Sequence, residues 1–200
     1  MTEAGRLQRL LDRIDRLNAE DPNLEVVAKA PQPRELAYAK RLTAWVLRLY
    51  PNASEALRIA ARGQHVRRWT IPRSRYPMTR AGYLRWRETL NAFHADTVAG
   101  LMREEGYPDQ SIQRVRMLMG KRQLGDDPKT QTLEDALCLV FLETQFADLR
   151  RKTSEEKMRE IVRKTWGKMS ERARAEALKL PLPEADKAYV LQVAGDGAPR

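Results

Sequence analysis

Apolar residues recur along this chain at spacings of three and four, and no convincing stretch alternates at two. Leu7, Leu10, Leu11, Ile14 and Leu17 form the first such stripe, the signature of one face of a helix. Asp21-Pro22-Asn23 ends it, and a loop is expected through Pro31 and Pro33. The pattern then predicts a helix over 34–50, with Leu42, Trp45, Val46 and Leu49 inward. Another is predicted over 56–67, opened by Asn52 and Glu55 at capping-box spacing. The stretch 69–78, with Pro72 and Pro77, reads as a loop. Thr79 is the expected cap of a long helix ending near Gly106, striped by Tyr83, Trp86, Leu90, His94, Thr97 and Leu101. Tyr83 and Trp86 are expected in the core.

Further helices are expected over 109–122, over 132–151 with Thr132 and Asp135 at its start, and after Ser154, Ser170 and Pro183, with a turn at 125–129. The fold class is therefore all-α: one compact multi-helix domain of eight or nine helices over 1–195, with a flexible tail at 196–200. Composition agrees. Ala and Leu number 48 against 15 for Val and Ile, which favours helix because β-branched side chains lose rotamer freedom there.

At 200 residues and 42% hydrophobic the chain can build a core without disulfides or metal. One cysteine, Cys138, excludes a disulfide framework and fits a reducing, cytoplasmic setting. The first seventeen residues are too charged for a secretory signal, and the longest apolar run, 136–142, is too short to span a bilayer. No membrane association is expected.

Charge changes the picture more. The net charge is +10, and between Glu55 and Glu88 there are nine arginines, no lysine and no acid. That stretch predicts a local positive field and an anionic partner. Arginine without lysine suits bidentate recognition of phosphate in a defined pocket more than diffuse solvation. Arg67, Arg68, Arg73 and Arg87, with Lys121, are the candidate phosphate ligands. Trp69 and Tyr76, interleaved with them in the predicted loop, are candidates for stacking on a base.

The only histidines are His65, at the end of an Ala-rich helix, and His94, on the apolar stripe of the next. Each reads equally as a packed core residue or as a metal ligand. With Asp135 they would make a site for Zn, Mn, Fe or Ni. Glu134 and Glu143 are the candidate catalytic carboxylates. Glu134 and Asp135 also read as first-turn acids complementing a helix dipole. Glu143 interrupts an apolar face, where an arginine could neutralise it.

Ala60-Ala61-Arg62-Gly63-Gln64-His65-Val66-Arg67-Arg68-Trp69, Tyr76-Pro77-Met78, Gly82-Tyr83-Leu84-Arg85-Trp86-Arg87, Phe93-His94-Ala95-Asp96, the run Leu133 to Glu143, and Arg163-Lys164-Thr165-Trp166 with Lys168-Met169-Ser170 resemble the family called domain of unknown function 4202. The likeness runs from about Leu7 to Val193 and brings no activity with it. A more distant likeness is to the HD-type metal-dependent phosphohydrolases. It implies an HD-like fold in which His65 stands for the paired histidine, His94 for an additional one and Asp135 for the final acid. Val66 stands where the paired Asp belongs, and the early helix offers Glu35 or Tyr38 in place of a histidine. The expectation is a metal-dependent phosphohydrolase of a phosphorylated small molecule, a nucleotide in particular. The alternative is a non-catalytic RNA- or nucleotide-binding protein using the same arginine–aromatic segment.

Overall fold

The structure, a computed structural model, describes residues 3–120 and 127–195. The tail at 196–200, Lys121, the last residues of the predicted helix 109–122 and the start of the predicted turn at 125–129 lie outside the described residues. The chain is all-α, with ten helices among the described residues and one two-stranded hairpin. It divides into two compact units, 1–123 and 124–200.

The first unit opens with α1 (Glu3–Ala19), the hairpin strands β1 (Leu24–Val27) and β2 (Ala30–Pro33), and α2 (Arg34–Leu49). The hairpin replaces the loop expected at 24–33. Leu24 pairs with Pro33 and Val27 with Ala30 across a turn in which Ala28 and Lys29 both have positive φ, 50° and 70°. Those angles are usual for a tight hairpin turn, but Asn and Gly normally supply them. Pro31 and Pro33 also argue against a strand, because proline lacks the N–H a ladder needs; a two-stranded edge tolerates them.

α3 (Glu55–Gly63) is capped by Ser54, whose hydroxyl accepts from the Leu57 N–H at 3.4 Å, and not by Asn52. Two short 3-10 turns, at Arg68–Thr70 and Arg73–Arg75, occupy the expected loop. α4 (Arg80–Glu104) starts where predicted, with Thr79 Oγ1 accepting from the Gly82 N–H at 3.1 Å. It ends just before Gly106, whose φ is +76°. α5 is Asp109–Gly120. Leu10, Ile14, Leu42, Leu57, Leu90, Ile112 and Leu118 are almost fully buried and make the core of this unit. Each contributes about 1.5–3 kcal/mol by leaving water.

The second unit holds α6 (Pro128–Thr144), α7 (Phe146–Lys152), α8 (Glu155–Lys168), α9 (Glu171–Ala177) and α10 (Glu184–Gly195). The predicted helix 132–151 is two helices. Its real cap is Asp127, which accepts from the Lys129 N–H with Pro128 in the first turn, and it breaks at Gln145. The break sets Phe146 fully inside, its ring edge-on to Phe141 at 6.4 Å. Leu133, Leu139, Phe146 and Val193 anchor this core. Among the described residues no helix is long and apolar enough to cross a membrane.

Gly63 ends α3 against α4 so closely that a Cβ there would lie 2.4 Å from Val98 Cγ2, whereas nothing lies within 4 Å of a Cβ at Gly100. Gly63→Ala is therefore expected to destabilise the protein by about 1–3 kcal/mol through overpacking. Gly100→Ala should be neutral or stabilising by up to about 1 kcal/mol, because the space its Cβ would occupy is open and alanine is the better helix former. Urea unfolding followed by circular dichroism checks the pair; equal midpoints for the two variants would contradict the close packing.

Candidate functional site

α1 carries Asn18 on the continuation of its apolar stripe, four residues after Ile14, and Asn18 is fully buried. Its Oδ1 accepts from the Arg67 N–H at 3.2 Å. Arg67 has φ 53°, ψ 31°, a left-handed conformation that costs a non-glycine residue about 1–2 kcal/mol. One residue earlier, the Val66 carbonyl accepts from His94 Nδ1 at 2.8 Å. Because a carbonyl only accepts, Nδ1 carries the proton and the lone pair is on Nε2. Burial, with His65 and Arg68 nearby, lowers the His94 pKa to about 3, so the ring is neutral at physiological pH.

This turn delivers His65 and Arg68 to the start of α2. There Asp21, itself buried, caps the helix from outside by accepting from the Glu35 N–H at 3.0 Å. His65 Nδ1 lies 3.3 Å and Arg68 Nε 4.0 Å from the two Glu35 carboxylate oxygens. Tyr38, one turn further along α2, stacks on the His65 ring at 4.0 Å between centroids and 8° between planes. The two histidine rings lie 6.0 Å apart. The Arg68 guanidinium covers the Trp86 ring at 4.8 Å, and the Trp86 indole donates to the Ile71 carbonyl.

Burial dominates the electrostatics. It raises the Glu35 pKa to about 7 against the opposing pull of Arg68, with Asp21 adding to the rise. It also lowers Arg68 from its usual value. Among the described residues, Asn18 Nδ2, Gln64 Oε1, Arg67 Nε and His94 Nε2 are buried here without a hydrogen-bond partner, as are Arg6 Nε and Arg58 Nε elsewhere. A left-handed non-glycine residue beside a carboxyl whose pKa burial raises makes this turn the candidate site.

The structure thus brings His65, His94, Arg67 and Arg68 together with Glu35, which the HD-type likeness offered in place of a histidine, and adds Asn18 and Asp21, which were not singled out as site residues. Arg73 is half-buried and donates to the carbonyls of Tyr76, Pro77 and Thr79, so it ties the loop together. Trp69 and Tyr76 are half-buried in that loop. Arg87 is exposed and donates to the Tyr83 hydroxyl at 3.3 Å. Tyr83 is itself exposed, contrary to its expected core position, because the first half of α4 is largely exposed.

Asp135 belongs to the second unit. It accepts from the Ser170 N–H and hydroxyl and from Gln131 at 2.6–2.9 Å, so it ties the start of α9 to α6 where a first-turn cap was expected. Glu134 is buried and pairs with Lys168 at 3.1 Å. Glu143 is exposed; one residue past Leu142, the face of α6 has turned to solvent. Lys121 lies outside the described residues. Among the described residues no three His, Cys, Asp or Glu side chains form a group able to hold a metal ion.

The fold and this turn define an all-helical protein with a carboxylate–imidazole–guanidinium cluster, in which Glu35 is buried and His65 and Arg68 are half-buried. The sequence profile of the family described as domain of unknown function (DUF4202) matches residues 8–190, and the chain belongs to that family. No curated protein and no solved structure matches the chain.

Because its carboxyl binds a proton more tightly folded (about 7) than unfolded (about 4.5), Glu35 contributes stability fully below pH 4.5 that is lost as pH rises to 7. Neutral His94 works oppositely, stabilising above pH 6.5 and losing that contribution as pH falls towards 3. Between pH 4.5 and 6.5 the two slopes oppose. Glu35→Gln should unmask the histidine, so that variant stability rises relative to wild type by on the order of 1 kcal/mol per pH unit across that window. Urea midpoints at several pH values measure this; parallel wild-type and variant curves would refute the buried, half-protonated carboxyl.

Proposed function

We propose that the protein hydrolyses a phosphorylated small molecule, of the nucleotide class, at the centre formed by Glu35, His65, Arg68 and His94. The observation that supports this reading is a carboxyl group brought to a pKa of about 7 with a guanidinium 4.0 Å away. A group titrating at the working pH exists in both forms and is suited to general acid–base catalysis. Glu35 takes a proton from water as its oxygen attacks phosphorus. The bond from phosphorus to the leaving oxygen breaks, and Glu35 returns the proton to that oxygen. Arg67 and Arg68 stabilise the charge that builds on the phosphoryl oxygens. His94 Nε2, a fixed acceptor, orients the water, and Trp69 and Tyr76 are the surfaces offered to a base.

His65 and His94 are the residues of this unit that would hold the zinc, manganese, iron or nickel ion expected from the sequence. They supply two ligands, and no step here is routed through a metal. A cytoplasmic setting is proposed on composition alone: a single, buried cysteine.

A second reading, binding of RNA or nucleotides without turnover, is favoured by one feature. Arg75, Arg80 and Arg85 are exposed, a surface open to polyanions.

Hydrolysis assays over nucleoside mono-, di- and triphosphates and simple phosphoesters separate the two. Wild type should turn over at least one, Glu35→Gln should lower kcat by about 10²–10⁴-fold, and Arg68→Ala should mainly raise KM. Wild-type rates in Glu35→Gln would sink the acid–base assignment. No turnover on any substrate, with polynucleotide affinity that falls steeply as salt rises, would establish the second reading.

A further inference from the structure

On the first unit, away from the Glu35 centre and sharing no residue with it, α3 and α5 enclose an open cavity of about 600 Å³. That is the size range of small-molecule sites. Its apolar wall includes Ile59, Met102 and Val115, each about 1% exposed, and Met117 stands at its edge, 36% exposed. The wall is mostly apolar, yet one end carries a fixed polar group. Tyr107, 6% exposed, donates its hydroxyl to Glu55 Oε1 at 2.5 Å. Burial and this carboxylate push the Tyr107 pKa well above the ordinary phenol value, so the phenol keeps its only proton and donates it to Glu55. Arg6 stacks over the outer face of the same ring, 4.2 Å from its centroid. The Glu55 carboxylate is thereby held in place with acceptor capacity left over, since an ionised carboxylate has about four lone-pair positions.

We propose that this cavity is a binding site for an aromatic small molecule carrying an N–H donor or an ammonium group. The ring would lie against the thioethers of Met102 and Met117, whose sulfurs favour aromatic contact and whose side chains adapt to its shape. The donor would reach Glu55. Arg114 also lines the cavity, so the donor is placed at the Glu55 end, where the carboxylate complements it.

The test is a fluorescence titration of the full chain with N-phenyl-1-naphthylamine, an aromatic amine that brightens in apolar surroundings. Saturable binding at one site is expected. Ala56→Trp, which fills the cavity from α3, should weaken it at least tenfold. Met117→Lys, a change at an exposed position that leaves the fold intact, should weaken it severalfold by placing a charge at the edge. Glu55→Gln should also weaken it severalfold, and Glu35→Gln should leave it unchanged. Non-saturating fluorescence, affinity equal to wild type in both Ala56→Trp and Met117→Lys, or a chain that sediments as a dimer and excludes the probe would each overturn the proposal.

Discussion

The candidate site depends on how the chain turns between Gly63 and Thr70. Gly63 lets α3 end against Val98, and the backbone then passes through a left-handed Arg67. That conformation costs about 1–2 kcal/mol for a residue with a Cβ. Two hydrogen bonds from buried partners, Asn18 on Arg67 and His94 on Val66, flank the strained residue. Each contributes about 0.5–1.5 kcal/mol net, so together they match the strain. Without the turn, His65 and Arg68 would not face Glu35, and Glu35 would lose the Arg68 guanidinium 4.0 Å away. The tautomer of His94 follows from the same constraint: its proton is committed to Val66, and the remaining nitrogen can only accept.

The arginine run is less of an open field than its linear density suggests. Arg62 pairs with Asp15 on α1, Arg68 with Glu35, and Arg73 is taken up by three carbonyls of its own loop. Arg87 lies against Tyr83. Part of the segment's charge therefore holds the first unit together, and Arg75, Arg80 and Arg85 supply the part that faces solvent. A chain can carry +9 in 32 residues and still present two kinds of arginine: a half-buried one beside Glu35 and His65, and exposed ones that face solvent.

The helices were legible in the residue pattern because their signals are local: period, caps and breakers within a few positions. Thr79, Ser170 and Pro183 opened helices as expected. The hairpin was not legible, since Ala28 and Lys29 are unusual at positive φ and two prolines disguise the second strand. The break at Gln145 was hidden too, because what decides it is where Phe146 packs. At the site, His65, His94 and Arg68 stood out by residue type and neighbourhood. Asn18 and Asp21 act on partners 49 and 14 residues away, and no spacing along the chain encodes such pairings. One signal was available for Asn18, a polar residue on an apolar stripe. Glu35 entered only through the HD-type likeness, in the place of an early-helix histidine, and its neutral-range pKa comes from burial, which no local spacing encodes.

The candidate centre depends on that carboxyl. Carbon-13 NMR of side-chain carboxyl groups, titrated from pH 4 to 9 in wild type and Glu35→Gln, reads it directly. One resonance, absent from the variant, should titrate with a midpoint near 7. If the resonance lost in Glu35→Gln titrates near the ordinary glutamate value of about 4.3, the buried acid–base centre does not exist as described.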